Sequence, residues 1–525
     1  MKILVSDQIH QAGIDLLRQS AEVDMRPELS PDELKSVIGG YDALIVRSQT
    51  KATAEIIGAA TRMQVIGRAG VGIDNIDIDA ATQSGIMVVN SPEGNIVSTA
   101  EHTIAMMLAL ARHIPSAHGK LQAGQWDRSA KGVQVRNKVL GVIGLGRVGT
   151  GVAEMARGLH MRVIAFDPMI SEARAEKLGV EMVSLDDLLA RADFVTLHVP
   201  INSATRGLIG MAQLETMKPE AMLINCARGG IVDETALYKA LEKGTVAGAA
   251  VDVFSKEPAV DNILLKSSKV VATPHLAAST NEAEESASTD IAEQVLAVLS
   301  GQTPKSPVNT PLISSEAWSV VGPYVQAGSV LGKIAAQLMS GQLTSISILY
   351  EGEIAAEDTS AVKSAILAGL LEPLTEERVN MVNADLIACN RGLKVTEQKE
   401  KTCENYTNLV TIELHTSSGS VVVAGSSLRG LTHIIRVNNF WFEIEPKGSY
   451  MVFTEHSDRP GMIGIVGTIL GNADVNISQM QVSRGVQRGG GAMMVLCLDE
   501  PLPEECYQKL MAVDAMNRVL TVKLT

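Results

Sequence analysis

Three glycines, Gly144, Gly146 and Gly149, stand between a predicted strand and a predicted helix, and this turn constrains the fold of the 525-residue chain more than any other feature. The apolar run at residues 138–143 predicts the strand. The first glycine permits a tight turn, the second lets a pyrophosphate approach the backbone, and the third allows close packing of helix on strand. Because the helix N-terminus then faces the anion, the spacing predicts a dinucleotide-binding α/β domain.

A carboxylate follows the next predicted strand. The apolar run at residues 162–166 ends at Asp167, where a carboxylate accepts hydrogen bonds from both ribose hydroxyls of an adenosine. Asp167 would repel a 2′-phosphate, and Pro168 and Met169 supply no cation to hold one. The sequence therefore predicts NAD rather than NADP as the cofactor.

Strand-like runs alternate with helical patterns over the first 310 residues, which is typical of parallel α/β domains. A first sheet is predicted from four runs: 3–6, 43–46, 65–67 and 87–89. A doubly wound second sheet is predicted from six runs: 139–143, 163–166, 194–199, 222–226, 246–253 and 270–273. Ser98 and Glu101 have the spacing of a capping box and predict the start of a long connecting helix. A helix over 282–299 is expected to return the chain to the first domain.

We therefore expect four domains. The first, an α/β domain, combines residues 1–97 with 287–310, and the second, also α/β, covers residues 98–286. Residues 311–446 alternate amphipathic helices with strands and predict an α+β domain without a visible chemical constellation. Residues 447–525 have the βαββαβ order of a split βαβ fold.

The chain is acidic, with a formal net charge of −14 and a pI near 5.3. Such a field repels polyanions and argues against non-specific binding to nucleic acid or anionic membranes. The five cysteines form no C-x-x-C pair and no spacing with histidine that suits a metal, so we expect a reducing compartment and no metal site. The longest apolar stretch, 103–111, falls short of the roughly 20 residues that span a bilayer. A cytoplasmic protein without a membrane partner is expected.

Three residues of acid/base character stand at the ends of predicted strands. His275 follows Thr273 and Pro274, where a strand must stop, and its imidazole can take the proton of a substrate hydroxyl as hydride leaves carbon. Glu257 can accept from the other ring nitrogen and fix the tautomer. Arg228 offers a planar fork that holds a carboxylate beside the reacting carbon. His198 also stands at the end of a predicted strand, but no carboxylate or arginine accompanies it, and we interpret it as a packing residue.

These residues, with the segments from Arg68 to Asp77 and from Thr273 to Thr280, resemble the D-isomer-specific 2-hydroxyacid dehydrogenases over the whole chain. The resemblance is greatest to the long form that uses NAD to oxidise 3-phospho-D-glycerate to 3-phosphohydroxypyruvate, the first step of L-serine biosynthesis. It implies that 311–446 is an intervening allosteric substrate-binding domain and that 447–525 is an ACT regulatory domain. It also implies a homo-oligomer, a dimer or a tetramer.

The resemblance assigns Arg228, Glu257 and His275 as the catalytic set. Beside the three glycines of the turn it implies these cofactor contacts: Val71, Arg147, Val148, Asp167, Val199, Cys226, Ala227, Arg228, Asp252, His275, Ala277 and Ala278. Two of them depart from relatives, since Val71 stands where some have Thr and Ala277 where many have Gly. Both departures affect fine affinity for the cofactor.

The resemblance also implies a site for the substrate's phosphate and a separate site for an effector. Arg47 and Arg68 follow strands of the first domain and are expected to bind the substrate's phosphate, because a protein this acidic must concentrate positive charge to hold a dianion. Arg128 belongs to a segment that reaches a neighbouring subunit's site in this family. In the ACT-like domain, L-serine is expected to bind as effector at His456, Asp458 and Asn476.

Three other functions remain open at this point. The first two are reduction of glyoxylate or hydroxypyruvate and 2-hydroxyglutarate dehydrogenation, both on the same enzyme fold. The long C-terminal half argues against the simple reductases, which lack it. The third is a non-catalytic, NAD-sensing corepressor, which a complete set of Arg, Glu and His fits poorly.

Overall fold

The computed structural model describes residues 1–311, 313, 315–485 and 490–524. Its first sheet is parallel, in the order β2-β1-β3-β4-β5. The strands are Lys2–Val5 (β1), Glu22–Met25 (β2), Ala43–Val46 (β3), Val65–Arg68 (β4) and Met87–Asn90 (β5), and the helices are Gln11–Arg18 (α1), Pro31–Val37 (α2), Ala54–Ala59 (α3) and Ile78–Gln83 (α4). The predicted parallel α/β domain is confirmed. The prediction missed β2 because this edge strand alternates carboxylates with apolar residues and has no apolar run.

A long helix, Ile96–Ala111 (α5), leads from the first sheet to the second, and Ile114–Gln122 (α6) follows it. The predicted capping box was wrong. The α5 helix begins ahead of Ser98, and the Ser98 hydroxyl donates to the carbonyl oxygen of Asn95 at 3.1 Å. Serine makes this local bond inside a helix as readily as it caps one, so the spacing to Glu101 misplaced the N-cap by three residues, from Asn95 to Ser98.

The second sheet is parallel and doubly wound, in the order β12-β11-β10-β9-β6-β7-β8. Its strands are Val139–Ile143 (β6), Arg162–Phe166 (β7), Glu181–Met182 (β8), Phe194–Leu197 (β9), Met222–Asn225 (β10), Gly248–Val251 (β11) and Val270–Ala272 (β12). Its helices are Arg147–Gly158 (α7), Glu172–Lys177 (α8), Leu185–Arg191 (α9), Met211–Thr216 (α10) and Glu234–Lys243 (α11). All six predicted strands are present, and the unpredicted β8 is a two-residue edge strand. The strand order reverses at β6, which is where such sheets bind ligands.

The helix Asn281–Leu299 (α12) returns to the first sheet. Its buried residues Ile291, Ala292 and Val295 share a core with Ile3 and Val5 of β1. This packing places the N-terminus of α12 beside the carboxyl ends of both sheets. Among the described residues, no helix is long and apolar enough to cross a membrane.

The C-terminal half contains two further sheets. The third is mixed, in the order β14-β13-β15-β16-β17-β18, and the fourth is antiparallel, in the order β20-β21-β19-β22. The helices are Ser315–Leu338 (α13), Ser360–Leu371 (α14), Ala384–Asn390 (α15), Met462–Gly471 (α16) and Glu504–Met511 (α17). The strands are Leu343–Gly352 (β13), Lys394–Glu400 (β14), Asn408–Thr416 (β15), Gly419–Leu428 (β16), Leu431–Val437 (β17), Phe440–Ile444 (β18), Tyr450–Ser457 (β19), Ile477–Arg484 (β20), Gly491–Leu498 (β21) and Met516–Lys523 (β22). The last six elements have the predicted βαββαβ order.

The third and fourth sheets share one core. Phe453 and Val495 on the open face of the fourth sheet pack with residues of α13 and the third sheet, such as Leu331 and Ile434. The other face of the fourth sheet is covered by α16 and α17. The C-terminal half is therefore joined by apolar burial, the main favourable term in folding.

The glycine turn after β6 requires its glycines for different physical reasons. Gly144 has a φ of +93°, and a Cβ there would lie 2.5 Å from the carbonyl oxygen of His198. A Cβ on Gly149 would lie 2.0 Å from the carbonyl oxygen of Gly144. Nothing lies within 4 Å of the place where Gly146 would carry a Cβ, so that face of the turn is open to a ligand.

We expect Gly149→Ala to destabilise the protein by about 2 kcal/mol and to weaken NAD binding, because the added methyl must push the turn away from α7. Thermal unfolding and NAD titration measure the two effects. Gly158→Ala, in the same helix and with open space around it, is the matched control and should be neutral or slightly stabilising. Equal melting temperatures for the two variants would contradict the tight packing of this turn.

Candidate active site

A cavity of about 850 Å³ opens where the carboxyl ends of the first two sheets meet. Its lining comes from the loops after β3, β4 and β12, from the loop after β11, and from the first two turns of α12. Arg47, Arg68, Glu257 and His275, which the sequence singled out, all line it. Parallel strands bring these distant residues together because their carboxyl ends share one edge of a sheet.

His275 and Glu257 form a pair in this cavity. The Nδ1 atom of His275 lies 2.9 Å from Oε2 of Glu257, and Oε1 of Glu257 accepts the backbone N–H of Phe254 at 3.1 Å. Both side chains are partly exposed to the cavity. A carboxylate at Nδ1 selects the tautomer with hydrogen on Nδ1, which leaves Nε2 as a proton acceptor.

The buried carboxylate of Asp252 holds the loop that carries His275. Its Oδ1 accepts the hydroxyl of Thr273 at 2.6 Å and the N–H of Leu276 at 2.8 Å, and its Oδ2 accepts the N–H of Ala277 at 3.0 Å. His275 has a φ of +56°, a left-handed conformation that costs a non-glycine residue free energy. The bonds to Asp252 on both sides of His275 stabilise that conformation.

Asp252 itself is fully buried, and its pKa stays below the usual range although burial raises it, because these hydrogen bonds favour the ionised form. The Nε2 atom of His102, on α5, lies 3.4 Å from Oδ1 of Asp252. Asp252 is one of the predicted cofactor contacts, whereas no motif in the sequence pointed to His102. With no exposed side-chain surface, Asp252 acts here as support for the catalytic loop.

Arg228 follows β10 in a turn that two glycines make possible. A Cβ on Gly229 would lie 1.9 Å from the carbonyl oxygen of Phe254, so the glycine lets this turn lie against the loop that carries Glu257. Nη1 of Arg228 donates to the carbonyl oxygen of Ala227 at 2.8 Å, and Nε lies 3.6 Å from Oδ2 of Asp74. The remaining N–H groups of the guanidinium stay available for an anion.

Arg68 ends β4 with a guanidinium that is largely buried. Its Nε has no hydrogen-bond partner among the described residues. Burial, together with the positive charges of Arg228 and Arg47, lowers the pKa of Arg68 to about 10, so it remains charged at neutral pH. A Cβ on Gly70 would lie 1.7 Å from Nη1 of Arg68, which explains the glycine at that place. Nη1 of Arg68 donates to the carbonyl oxygen of Ala69 at 3.4 Å, so the unsatisfied N–H is that of Nε. A buried, charged N–H group without a partner is a strong indication of an anion site.

Arg47 lies after β3, in a loop that Asp7 holds in place. The carboxylate of Asp7, itself 2% exposed, accepts the N–H groups of Arg47 at 2.6 Å and of Thr50 at 3.0 Å. Nη2 of Arg47 lies 2.7 Å from Oε1 of Glu284 on α12. Arg47 and Arg68 line the cavity, and Arg228 does not line it but is close enough to Arg68 to lower its pKa.

The predicted nucleotide site centres on the glycine turn after β6. Oδ2 of Asp167 accepts the N–H of Leu145 in the glycine turn at 2.8 Å, so the carboxylate stands beside the open face of the turn. Arg147 opens α7 and is exposed, with Nη2 3.2 Å from Oε1 of Glu93. Burial raises the pKa of the Cys226 thiol to about 12, which keeps it neutral. The other cofactor candidates outside the catalytic loop are half-buried or exposed around this turn or at strand ends: Val71, Val148, Val199 and Ala227.

The pKa of His198 is lowered to about 4 by burial, and its Nε2 lies 3.0 Å from the Thr196 hydroxyl. It is neutral at physiological pH, as a packing residue would be. In the described part of the chain, no group of three or more His, Cys, Asp or Glu is arranged to hold a metal ion.

Four predicted residues lie away from the cavity. Arg128 is exposed in the segment after α6 and does not reach the cavity of its own chain. His456 is 2% exposed, and burial lowers its pKa. Oδ1 of Asp458 lies 3.4 Å from Nε of Arg484, and Nδ2 of Asn476 donates to Oδ2 of Asp499 at 2.7 Å. Asp458 follows β19 and Asn476 precedes β20, and both strands run antiparallel to β21, so the two residues lie at opposite ends of the fourth sheet.

Two family models match the chain. Residues 104–277 match the NAD binding domain of the D-isomer specific 2-hydroxyacid dehydrogenases. Residues 320–438 match the D-3-phosphoglycerate dehydrogenase intervening domain.

Curated relatives match from end to end. The D-3-phosphoglycerate dehydrogenase of Synechocystis sp. is 43% identical over 100% of this chain and 95% of its own length. That of Archaeoglobus fulgidus is 42% identical over 100% of both chains. The chain belongs to the D-3-phosphoglycerate dehydrogenase family. The Bacillus subtilis member is 39% identical over 100% of this chain and 99% of its own.

Solved structures of 2-hydroxyacid dehydrogenases match part of the chain. A glyoxylate reductase from Paecilomyes thermophila is 29% identical, with a TM-score of 0.54, and covers 59% of this chain and 98% of its own. The D-lactate dehydrogenase of Escherichia coli is 28% identical, with a TM-score of 0.53, and covers 59% of this chain and 100% of its own. The NAD-binding dehydrogenase fold is therefore confirmed, and the C-terminal half distinguishes the phosphoglycerate dehydrogenase family from these shorter proteins.

We expect Asp167→Ala to narrow the preference of the protein for NAD over NADP, because the change removes a ribose acceptor and the negative charge that repels a 2′-phosphate. Binding titrations with both nucleotides measure the ratio of the two dissociation constants. Asp193→Ala, at a carboxylate on the far end of the same sheet, is the control. A wild-type protein that already binds NADP more tightly would contradict this role for Asp167.

Proposed function

We propose that this protein oxidises C2 of 3-phospho-D-glycerate with NAD to give 3-phosphohydroxypyruvate, the first step of L-serine biosynthesis. The observation that carries the proposal is the His275–Glu257 pair at 2.9 Å in a cavity that also holds the unpaired charge of Arg68. One wall thus offers a base and another offers an anion site. The full-length likeness to D-3-phosphoglycerate dehydrogenases supports the same substrate.

His275 is the base in this mechanism. Its Nε2 takes the proton of the C2 hydroxyl, and the Glu257 carboxylate at Nδ1 stabilises the imidazolium that forms. Arg228 holds the C1 carboxylate through two parallel N–H donors and keeps C2 in place. The developing C2 carbonyl lies beside the same guanidinium, so its partial negative charge is stabilised.

The phosphate is proposed to bind Arg47 and Arg68, whose guanidinium groups line the same cavity. When bound, NAD supplies the acceptor for the C2 hydride. The residues of the glycine turn fit its pyrophosphate, since the Gly146 face is open and the helix N-terminus of α7 points there. Asp167 is proposed to hold the adenosine ribose.

The division into domains follows from this assignment. We propose that residues 1–97 with 287–310 bind substrate, that 98–286 bind NAD, that 311–446 form the intervening domain and that 447–525 form an ACT regulatory domain. The shared core of the third and fourth sheets supports a C-terminal half that moves as one body. Cleft closure between the first two domains would then bring C2 to the nicotinamide.

We expect His275→Ala to lower kcat about 10²- to 10⁴-fold while NAD binding survives, because proton transfer to a positioned base is typically worth that much. Glu257→Gln should lower kcat less, since the tautomer is held but the imidazolium loses its counter-charge. Initial rates of NADH formation and NAD titrations measure both. His433→Ala, at a histidine on β17, is the control. Near-normal turnover of His275→Ala would remove the base from the mechanism.

A homo-oligomer is proposed from the apolar surface near α6. This helix has no buried residue in the single chain, and Trp126 in the following segment is 81% exposed. Ile114 and Leu121 add further exposed apolar surface on α6 itself. Large exposed apolar patches of this kind mark protein contacts. A second copy of the chain on this surface would bring Arg128 toward its partner's cavity.

We further propose that L-serine regulates the enzyme at Asp458 and Asn476. Asp458 does not cap α16, whose N-cap is Gly461, so its carboxylate is not committed to the helix. A single chain separates the two residues by the length of β20, an edge strand of its sheet. Antiparallel pairing of β20 with β20 of a second copy would bring Asp458 of one subunit to Asn476 of the other. The acid would then hold the ammonium group and the amide the carboxylate or hydroxyl, beside buried His456.

We expect L-serine to inhibit the wild-type enzyme and expect Asp458→Ala and Asn476→Ala to abolish the inhibition without loss of basal turnover. Coupled sites typically exchange about 1 to 3 kcal/mol, so serine should shift activity about 5- to 150-fold. Initial rates over a serine titration measure the effect, with D-serine as the control. Insensitivity of the wild-type enzyme to millimolar L-serine would contradict the regulatory role and leave the catalytic proposal standing.

A further inference from the structure

A carboxylate lies inside the cavity where the phosphate is proposed to bind. Oε1 of Glu284 is 2.7 Å from Nη2 of Arg47, and the two side chains are 34% and 29% exposed. Both residues line the cavity with His275 and Arg68. Glu284 therefore places a negative charge at the guanidinium that the substrate's dianion must use.

The two arginines that line the cavity and the nearby Arg228 differ in their partners. Arg47 lies against Glu284, and Arg228 lies 3.6 Å from the carboxylate of Asp74. Among the described residues, Arg68 is paired with no carboxylate. An anion at these three arginines thus meets one guanidinium that no described carboxylate contacts and two that each have a carboxylate within 4 Å.

The position of Glu284 on α12 stabilises the negative charge of its carboxylate. It lies in the first turn of a 19-residue helix, where a carboxylate interacts favourably with the positive end of the helix dipole. A substrate phosphate at Arg47 would approach the same helix end. The carboxylate of Glu284 thus occupies a position at the helix end that would also suit the phosphate of a substrate.

We propose that Glu284 is a specificity-determining residue that competes with the substrate's phosphate for Arg47. This inference rests on the proposed function, because it takes Arg47 as a phosphate ligand. A dianion beside Glu284 is repelled by its charge, whichever N–H groups of Arg47 it uses. An anion that is also held at Arg68 and Arg228 gains enough binding free energy to overcome that repulsion. Inorganic phosphate has no carboxylate for Arg228, so its binding free energy is too small to overcome it. Glu284 thereby keeps the cavity from filling with free phosphate.

The test replaces the charge and keeps the shape. Glu284→Gln retains an amide oxygen that accepts from Arg47 and removes the repulsion. The matched control is Glu282→Gln, an equal loss of charge at an exposed position in the same helical turn. The first measurement is the KM for 3-phospho-D-glycerate and for unphosphorylated D-glycerate. The second is the Kd of inorganic phosphate, from the rise of the melting temperature over a phosphate titration.

Glu284→Gln should lower the KM for 3-phospho-D-glycerate and the Kd for inorganic phosphate about tenfold, the order expected for one partly screened charge near a dianion. The KM for D-glycerate should change far less, and Glu282→Gln should change none of the three. A raised or unchanged Kd for phosphate in Glu284→Gln would overturn the proposal, since Glu284 would then orient Arg47 for the substrate. An equal decrease of the phosphate Kd in both variants would also overturn the proposal, because the change in net charge alone would explain it.

The two measurements separate this inference from the proposed function. If the wild-type enzyme does not oxidise 3-phospho-D-glycerate, the assigned substrate is wrong, and the phosphate titration still decides the role of Glu284. Tighter binding of inorganic phosphate by Glu284→Gln, but not by Glu282→Gln, would then support competition at Arg47. Unchanged phosphate affinity would overturn it.

Discussion

The unpaired positive charge of Arg68 is the constraint around which the cavity is organised. A largely buried guanidinium with a free Nε is costly unless an anion completes it, and burial together with two neighbouring arginines already lowers its pKa to about 10. The glycines at 70 and 72 exist in this arrangement to make room, since a Cβ at either would collide with the guanidinium of Arg68 or Arg228.

A second buried charge keeps the reacting group in place. Asp252 does not line the cavity, yet its carboxylate accepts the Thr273 hydroxyl before His275 and the backbone N–H groups of Leu276 and Ala277 after it. These bonds stabilise the left-handed conformation of His275. Asp7 holds the loop of Arg47 in the same way, since its carboxylate accepts the backbone N–H of Arg47. In each case a carboxylate one or two residues past the end of a buried strand accepts N–H groups of a loop, so rigid strands position the side chains that act.

The sequence predicts much of this arrangement because strand ends are easy to recognise. The runs at β3 and β6 match the observed strands residue for residue, and Arg228, Glu257 and His275 follow apolar runs whose ends must meet in a doubly wound sheet. The edge strands β2 and β8 were missed because exposed strands have no apolar run. The supporting role of Asp7 had a visible signal, a lone acid after a buried strand. The pairing of Glu284 with Arg47 had none, since it depends on how α12 packs against the first sheet.

The most direct test of the account is the rate of NADH formation by the purified protein with 3-phospho-D-glycerate and with D-glycerate as alternative substrates. Because Arg47 and Arg68 are proposed to bind only the phosphate, kcat/KM should be at least about a hundredfold higher for the phosphorylated acid. Equal values for the two acids, or a preference for unphosphorylated substrates, would contradict the central claim that this cavity selects a phosphorylated 2-hydroxy acid. The absence of turnover with both acids would contradict it as well.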